Sequence, residues 1–95
     1  MLDEIRAKRD EIYAIARKHK AEKLWVFGSC ARREESSDSD VDFLVQFNPN
    51  ASLFDVAALK ESLEELFERK VDIVSAASLK DDAFSRRVLS ERIRL

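Results

Sequence analysis

LWVFGSCARREESSDSDVDFLVQF, from Leu24 to Phe47, is the stretch that decides the fold. LWVF (Leu24–Phe27) is a short run of strand-forming residues that stops at Gly28, the only glycine in the chain. The polar segment that follows Ser29 suits a surface loop or a short helical turn. From Asp40 to Phe47, DVDFLVQF becomes a second strand. Its alternation sets Asp40, Asp42 and Leu44 on one face and Val41, Phe43, Val45 and Phe47 on the other.

Outward from this stretch the helices are legible by period. Asp3 to about Lys20 interleaves Ile5, Ile12, Ile15 and Ala16 with charges at helical spacing. After the turn NPN (Asn48–Asn50), Ser52 and Asp55 form a capping-box pattern. They open a helix whose stripe is Val56, Leu59, Leu63, Leu66 and Phe67 and whose end lies near Arg69. VDIV (Val71–Val74) reads as a third strand, Leu79 to Ser90 as a helix burying Ala83, Phe84 and Val88, and ERIRL as a candidate short strand. The order helix, strand, strand, helix, strand, helix describes one α/β layer structure, expected to be a single domain over residues 1–95.

The chemistry is carried by four places. Gly28-Ser29 at a strand end is a simple turn or a phosphate cradle; glycine permits close backbone approach, and amides and a hydroxyl can donate to phosphate oxygens. Asp40-x-Asp42 puts two carboxylates on one face of a strand, about 6–7 Å apart, where both can lean toward one cation such as Mg²⁺. Two like charges on an otherwise apolar strand repel unless something neutralises them, which favours the metal reading over an exposed polar face. Asp72 lies within the apolar VDIV run, where a carboxylate is costly unless paired or metal-bound. If that strand lies beside Asp40–Phe47, three carboxylates meet opposite Gly28-Ser29, the set that metal-assisted phosphoryl transfer needs.

These residues resemble the DNA polymerase beta-like nucleotidyltransferases, whose signature is Gly-Ser, ten residues, then Asp-x-Asp. Here it is GS-CARREESSDS-DVD. The resemblance is strongest to the minimal nucleotidyltransferases (MNT), with Gly28, Ser29, Ala31 and Arg32 in the GSxAR position, Ser39, Asp40 and Asp42 in SDxD, and Asp72 as the later lone aspartate. It implies an α/β (α+β) fold with a small mixed sheet of three to four strands flanked by helices. It further implies Asp40, Asp42 and Asp72 as catalytic metal ligands, Gly28, Ser29 and Arg32 as nucleotide-binding residues, and Mg²⁺ as the cofactor. The expected reaction transfers a nucleoside monophosphate, AMP from ATP or another NTP, to a hydroxyl acceptor. Such proteins are paired with a small all-helical HEPN protein, often a toxin, and act as antitoxins that add AMP to its tyrosine. The competing reading is a non-catalytic nucleotide-binding subunit that neutralises a helical partner by contact. The one departure from the family pattern is Arg33 where a glycine is usual; it leaves every expected metal ligand in place and is read as pointing into solvent.

The remaining composition narrows the partners. Seventeen basic and 19 acidic residues, interspersed, give a net charge of -2 and no broad positive field for general nucleic-acid binding. A single cysteine, Cys30, excludes an internal disulfide and a multi-cysteine zinc site. No apolar stretch approaches the roughly 18 residues of a membrane span, and the charged N-terminus does not read as a signal peptide, so a cytoplasmic location is expected. His19, Cys30 and Trp25 are read as structural, and the basic cluster Arg86, Arg87, Arg92 and Arg94 as a solvated face.

Overall fold

The computed structural model describes residues 1–95. Helices α1 (Leu2–Ala7) and α2 (Arg9–Lys18) precede strand β1 (Ala21–Phe27), the short helix α3 (Gly28–Ala31) and strand β2 (Val41–Phe47). Helix α4 (Leu53–Phe67), strand β3 (Val71–Ser75), helix α5 (Ala83–Glu91) and strand β4 (Ile93–Arg94) complete the chain, with a 3-10 turn at Ala76–Ser78. The four strands form one mixed sheet in the order β3-β2-β1-β4. The pairs β1–β2 and β1–β4 are antiparallel, whereas β2–β3 is parallel. The parallel pair requires a crossover, and α4 provides it.

Strand alternation divides the side chains between two unequal faces. Leu24 and Val26 of β1, Val41, Phe43 and Val45 of β2 and Val71 of β3 enter a 15-residue core with residues of α1, α2 and α4. Ile5, Ile12, Leu59 and Leu63 supply the helical half and are fully buried. Burying each such side chain contributes about 1.5–3 kcal/mol, so this face holds most of the stabilising apolar area. On the opposite face Phe27, Leu44 and Val88 form a core of only three buried residues, bordered by Trp25 and Val74.

The element ends follow from local chemistry. The first helix does not run unbroken from Asp3 to Lys20: Lys8, at φ -98° and ψ 15°, separates α1 from α2, although Ile12 N–H still donates to Lys8 O at 2.9 Å. Ser52 N–H donates to Asp55 Oδ2 at 2.9 Å, the reach-back half of the expected capping box. Helix α4 ends where Glu68 turns left-handed at φ 53°. The final helix begins four residues later than its apolar pattern suggests, because Asp82 caps it by accepting from Ser85 N–H at 2.8 Å. That shift rotates its buried face: Val88 is buried as expected and Ser85 joins it, whereas Ala83 and Phe84 are exposed.

Candidate active site

The site is built where β1 ends. Phe27 is still extended at φ -137°, and Gly28 then turns to φ +72°, a left-handed conformation that favours glycine. Space demands glycine as well: a Cβ here would collide with the Asp42 Oδ2 carboxylate oxygen and lie 3.2 Å from its Cγ. The missing side chain therefore brings the start of α3 directly against Asp42, which pairs across the ladder with Phe27.

Strand pairing positions the second carboxylate. In the parallel β2–β3 ladder Asp42 is the direct partner of Asp72, so both side chains leave the same face of the sheet. Asp72 stands on an edge strand and is exposed, which corrects the expectation that its strand would bury it. Its charge acts on a neighbour instead. Partial burial, then the charges of Asp72 and Asp40, push the Asp42 carboxyl up to about 6 from 3.8.

Asp40 lies one residue before β2 and is half-buried. Outside the ladder its side chain is not held by strand alternation, and it does not line the cavity that Asp42 and Asp72 share. The three carboxylates consequently do not converge on one point, as the sequence suggested; no three acidic, His or Cys side chains are gathered closely enough to grip an ion. Loop contacts nonetheless fix the approach to Asp40. The Arg69 guanidinium donates to the carbonyls of Ser36 and Ser39 at 3.2 and 3.1 Å, and Cys30, fully buried, points its thiol at Asp40 O at 3.8 Å.

A cavity of about 480 Å³ gathers Gly28, Ser29, Arg32, Asp42 and Asp72. Its far wall is the α5 face carrying Phe84, Arg87, Val88 and Glu91, at helical spacing, which the sequence did not assign to the site. Phe84 packs edge-to-face on Phe27, with ring centroids 6.3 Å apart, yet remains 52% exposed. Arg32 is held within the protein: its Nη1 lies 2.8 Å from Glu91 Oε1 and its Nε 3.5 Å from Glu34 Oε2. Arg33 does not run free into solvent. Its guanidinium makes a two-pronged pair with Asp3 at 3.0 and 3.1 Å, and its backbone is left-handed at φ 59°, the conformation glycine adopts readily.

The donor set suits a hard divalent cation. Burial first, and then the charges of Asp72 and Asp40, raise the Asp42 carboxyl more than the nearby Arg32 lowers it, and Mg²⁺ commonly takes only one or two protein carboxylates together with phosphate and water oxygens. A glycine turn set against such a pair at the edge of an open cavity is the arrangement of a nucleotide-transferring enzyme of the α/β type. Residues 10–95 match the polymerase beta nucleotidyltransferase family, and the chain belongs to that family.

Named relatives agree. Protein adenylyltransferase MntA of Thermococcus cleftensis is 40% identical over 90 residues, covering 86% of this chain and 90% of that protein. The solved structure of a candidate minimal nucleotidyltransferase superposes with a TM-score of 0.85 at 41% identity, covering 99% of this chain and 95% of that one. A chain from the complex of tri-AMPylated Shewanella oneidensis HEPN toxin with MNT antitoxin shares the fold at a TM-score of 0.69 and 18% identity, over 99% of this chain and 71% of that chain. The sequence led to a mixed sheet of three to four strands, and four are observed.

Proposed function

We propose that this nucleotidyltransferase transfers AMP from ATP to a hydroxyl, a tyrosine of a small helical HEPN-type partner, and thereby acts as an antitoxin. The observation that carries the reading is the in-register pair Asp42–Asp72 on parallel strands, lining one cavity with Gly28, which lies directly against Asp42. The relative named MntA and the AMPylated toxin complex support the protein acceptor.

Gly28 and Ser29 take the terminal phosphates, with the glycine letting the turn close against Asp42 so that phosphate and carboxylate sit side by side. Asp42 and Asp72, in register on adjacent strands, would hold Mg²⁺ together with phosphate oxygens, and Asp40 would join them only by turning its side chain toward the cavity. When bound, the cation supplies positive charge to the phosphate oxygens and the leaving group. The acceptor oxygen forms a bond to the α-phosphorus as the bond to the bridging oxygen breaks and pyrophosphate departs. Asp72, the exposed member of the pair, accepts the hydroxyl proton.

Co-incubation with a HEPN partner, ATP and Mg²⁺, followed by intact-mass measurement, tests the assignment. An AMP-sized adduct on the partner, lost with its acceptor tyrosine changed to Phe, is the expected result. An unmodified partner that is nevertheless neutralised by the Asp42→Asn protein would sink the catalytic reading.

A further inference from the structure

Arginine at the GSxAR position is the obvious cation for a triphosphate, but Arg32 is already engaged by Glu91 and Glu34. Glu91 is the stronger partner: its side chain is only 17% exposed and lies 2.8 Å from the guanidinium. Drawing Arg32 onto a phosphate would leave Glu91 unpaired beside an incoming polyanion. A partly buried charge stripped of its partner is costly, so this ion pair is better understood as the strut that ties α3 to α5.

One turn earlier on the same helix face, Arg87 also lines the cavity. It takes part in no ion pair, in contrast to Arg32, Arg33 and Arg86. Its side chain donates no hydrogen bond within the protein; only its backbone carbonyl is used, by the Ser90 hydroxyl at 2.9 Å. The helix that carries it is fixed at its start by the Asp82 cap and at its end by the Arg32–Glu91 pair. Arg87 is thus an uncommitted guanidinium on a held element, opposite the cradle and the two carboxylates.

We propose that Arg87 is the residue that binds the phosphate chain of the nucleotide, and that Arg32 positions α5 so that it can. A guanidinium matches phosphate oxygens in a two-pronged geometry and adds the positive charge that Asp42 and Asp72 withhold from a bound triphosphate. The inference rests on the nucleotidyltransferase reading of this cavity and assigns it a phosphate ligand on α5.

Calorimetric titration of the whole protein with Mg²⁺-ATP, and separately with Mg²⁺-tripolyphosphate, tests it without any acceptor protein. Arg87→Ala should weaken both ligands about ten- to a hundredfold, the loss expected for a charged hydrogen-bond pair. Arg87→Lys should recover part of that loss, because the charge remains but the fork does not. Arg32→Ala should weaken binding less than Arg87→Ala and should lower the thermal midpoint, which Arg87→Ala leaves within error. Unchanged tripolyphosphate affinity in Arg87→Ala overturns the proposal, as does a larger loss in Arg32→Ala. If only ATP weakens, Arg87 contacts the base and the phosphate assignment is overturned. Failure of the unaltered protein to bind either ligand overturns the nucleotide site itself, a distinct outcome.

Discussion

The two faces of the sheet differ in what they hold. One is covered by α1, α2 and α4 over a 15-residue core, and the other by α5 over three buried side chains. The carboxylates, the glycine turn and the cavity all lie on the thinly covered side. Stability and chemistry are therefore separated by strand parity: consecutive residues of β2, such as Asp42 and Phe43, serve opposite purposes. A well-covered face could not leave two like charges open to a ligand, and the thin face could not hold the sheet together alone.

The division is broken most severely at Asp42. Asp42→Asn should reduce nucleotidyl transfer by about a hundred- to a thousandfold, in line with losses seen when a preorganised electrostatic contact is removed. It should also stabilise the fold, because the Asp42 carboxyl is pushed up to about 6 from 3.8 by partial burial and by Asp72 and Asp40. With the folded value raised, the native protein binds this proton more tightly than the unfolded chain. Its stability relative to the Asn variant then falls as pH rises from about 4 to about 6, and is flat above. After allowance for solvent screening, about 1 kcal/mol should separate the two at pH 7 in denaturant titrations without metal. Excess Mg²⁺ should shrink the gap.

Next in size is the contrast between cores. Phe43→Ala should cost about 3–5 kcal/mol, whereas Val88→Ala on the thin face should cost about 2 kcal/mol or less. Equal losses in chemical denaturation would contradict the asymmetry. Gly28→Ala joins the two properties, since its methyl strikes the Asp42 carboxylate at a left-handed position. It should cost roughly 1–2 kcal/mol in stability, with a larger proportional loss in turnover, and retained turnover would show that Asp42 moves freely.

Asp82→Ala should lower stability by about 1 kcal/mol through loss of the α5 cap, and should weaken nucleotide binding more than a comparable change on α4. Arg33→Gly is the smallest effect. Relief of a left-handed backbone offsets loss of an exposed pair with Asp3, so the net change in melting free energy should be within about 0.5 kcal/mol.

What the sequence made legible follows the same division. That Gly28, Ser29 and Asp42 would share one cavity was readable because their spacing is short and local, whereas Asp40 precedes β2 and escapes the period of two that was read across it. The environment of Asp72 was misjudged because an apolar run such as VDIV does not say whether its strand is central or at an edge. The contribution of α5 was missed for a related reason. Phe84, Arg87 and Glu91 lie far along the chain, and charges at that spacing usually mark a solvated face. Asp82 followed three residues later by Ser85 was the available signal for where α5 begins, and it outweighs the apolar periodicity that suggested Leu79. Arg33 at a position where glycine is usual likewise pointed to the left-handed turn now seen there.

The parallel register of β2 and β3 has a consequence for how reliably the site assembles. Slipping β3 by one residue would separate Asp72 from Asp42 and, by parity, turn Asp72 toward Phe43 and the large core while expelling Val71 and Ile73. The misaligned sheet would bury a lone charge and forfeit apolar contacts together. Hydrophobic sorting thus acts as an error check on the wiring of the carboxylates: a chain that mispairs its aspartates also fails to fold well, so folded molecules carry correctly aligned sites without any contact between the aspartates having to enforce it.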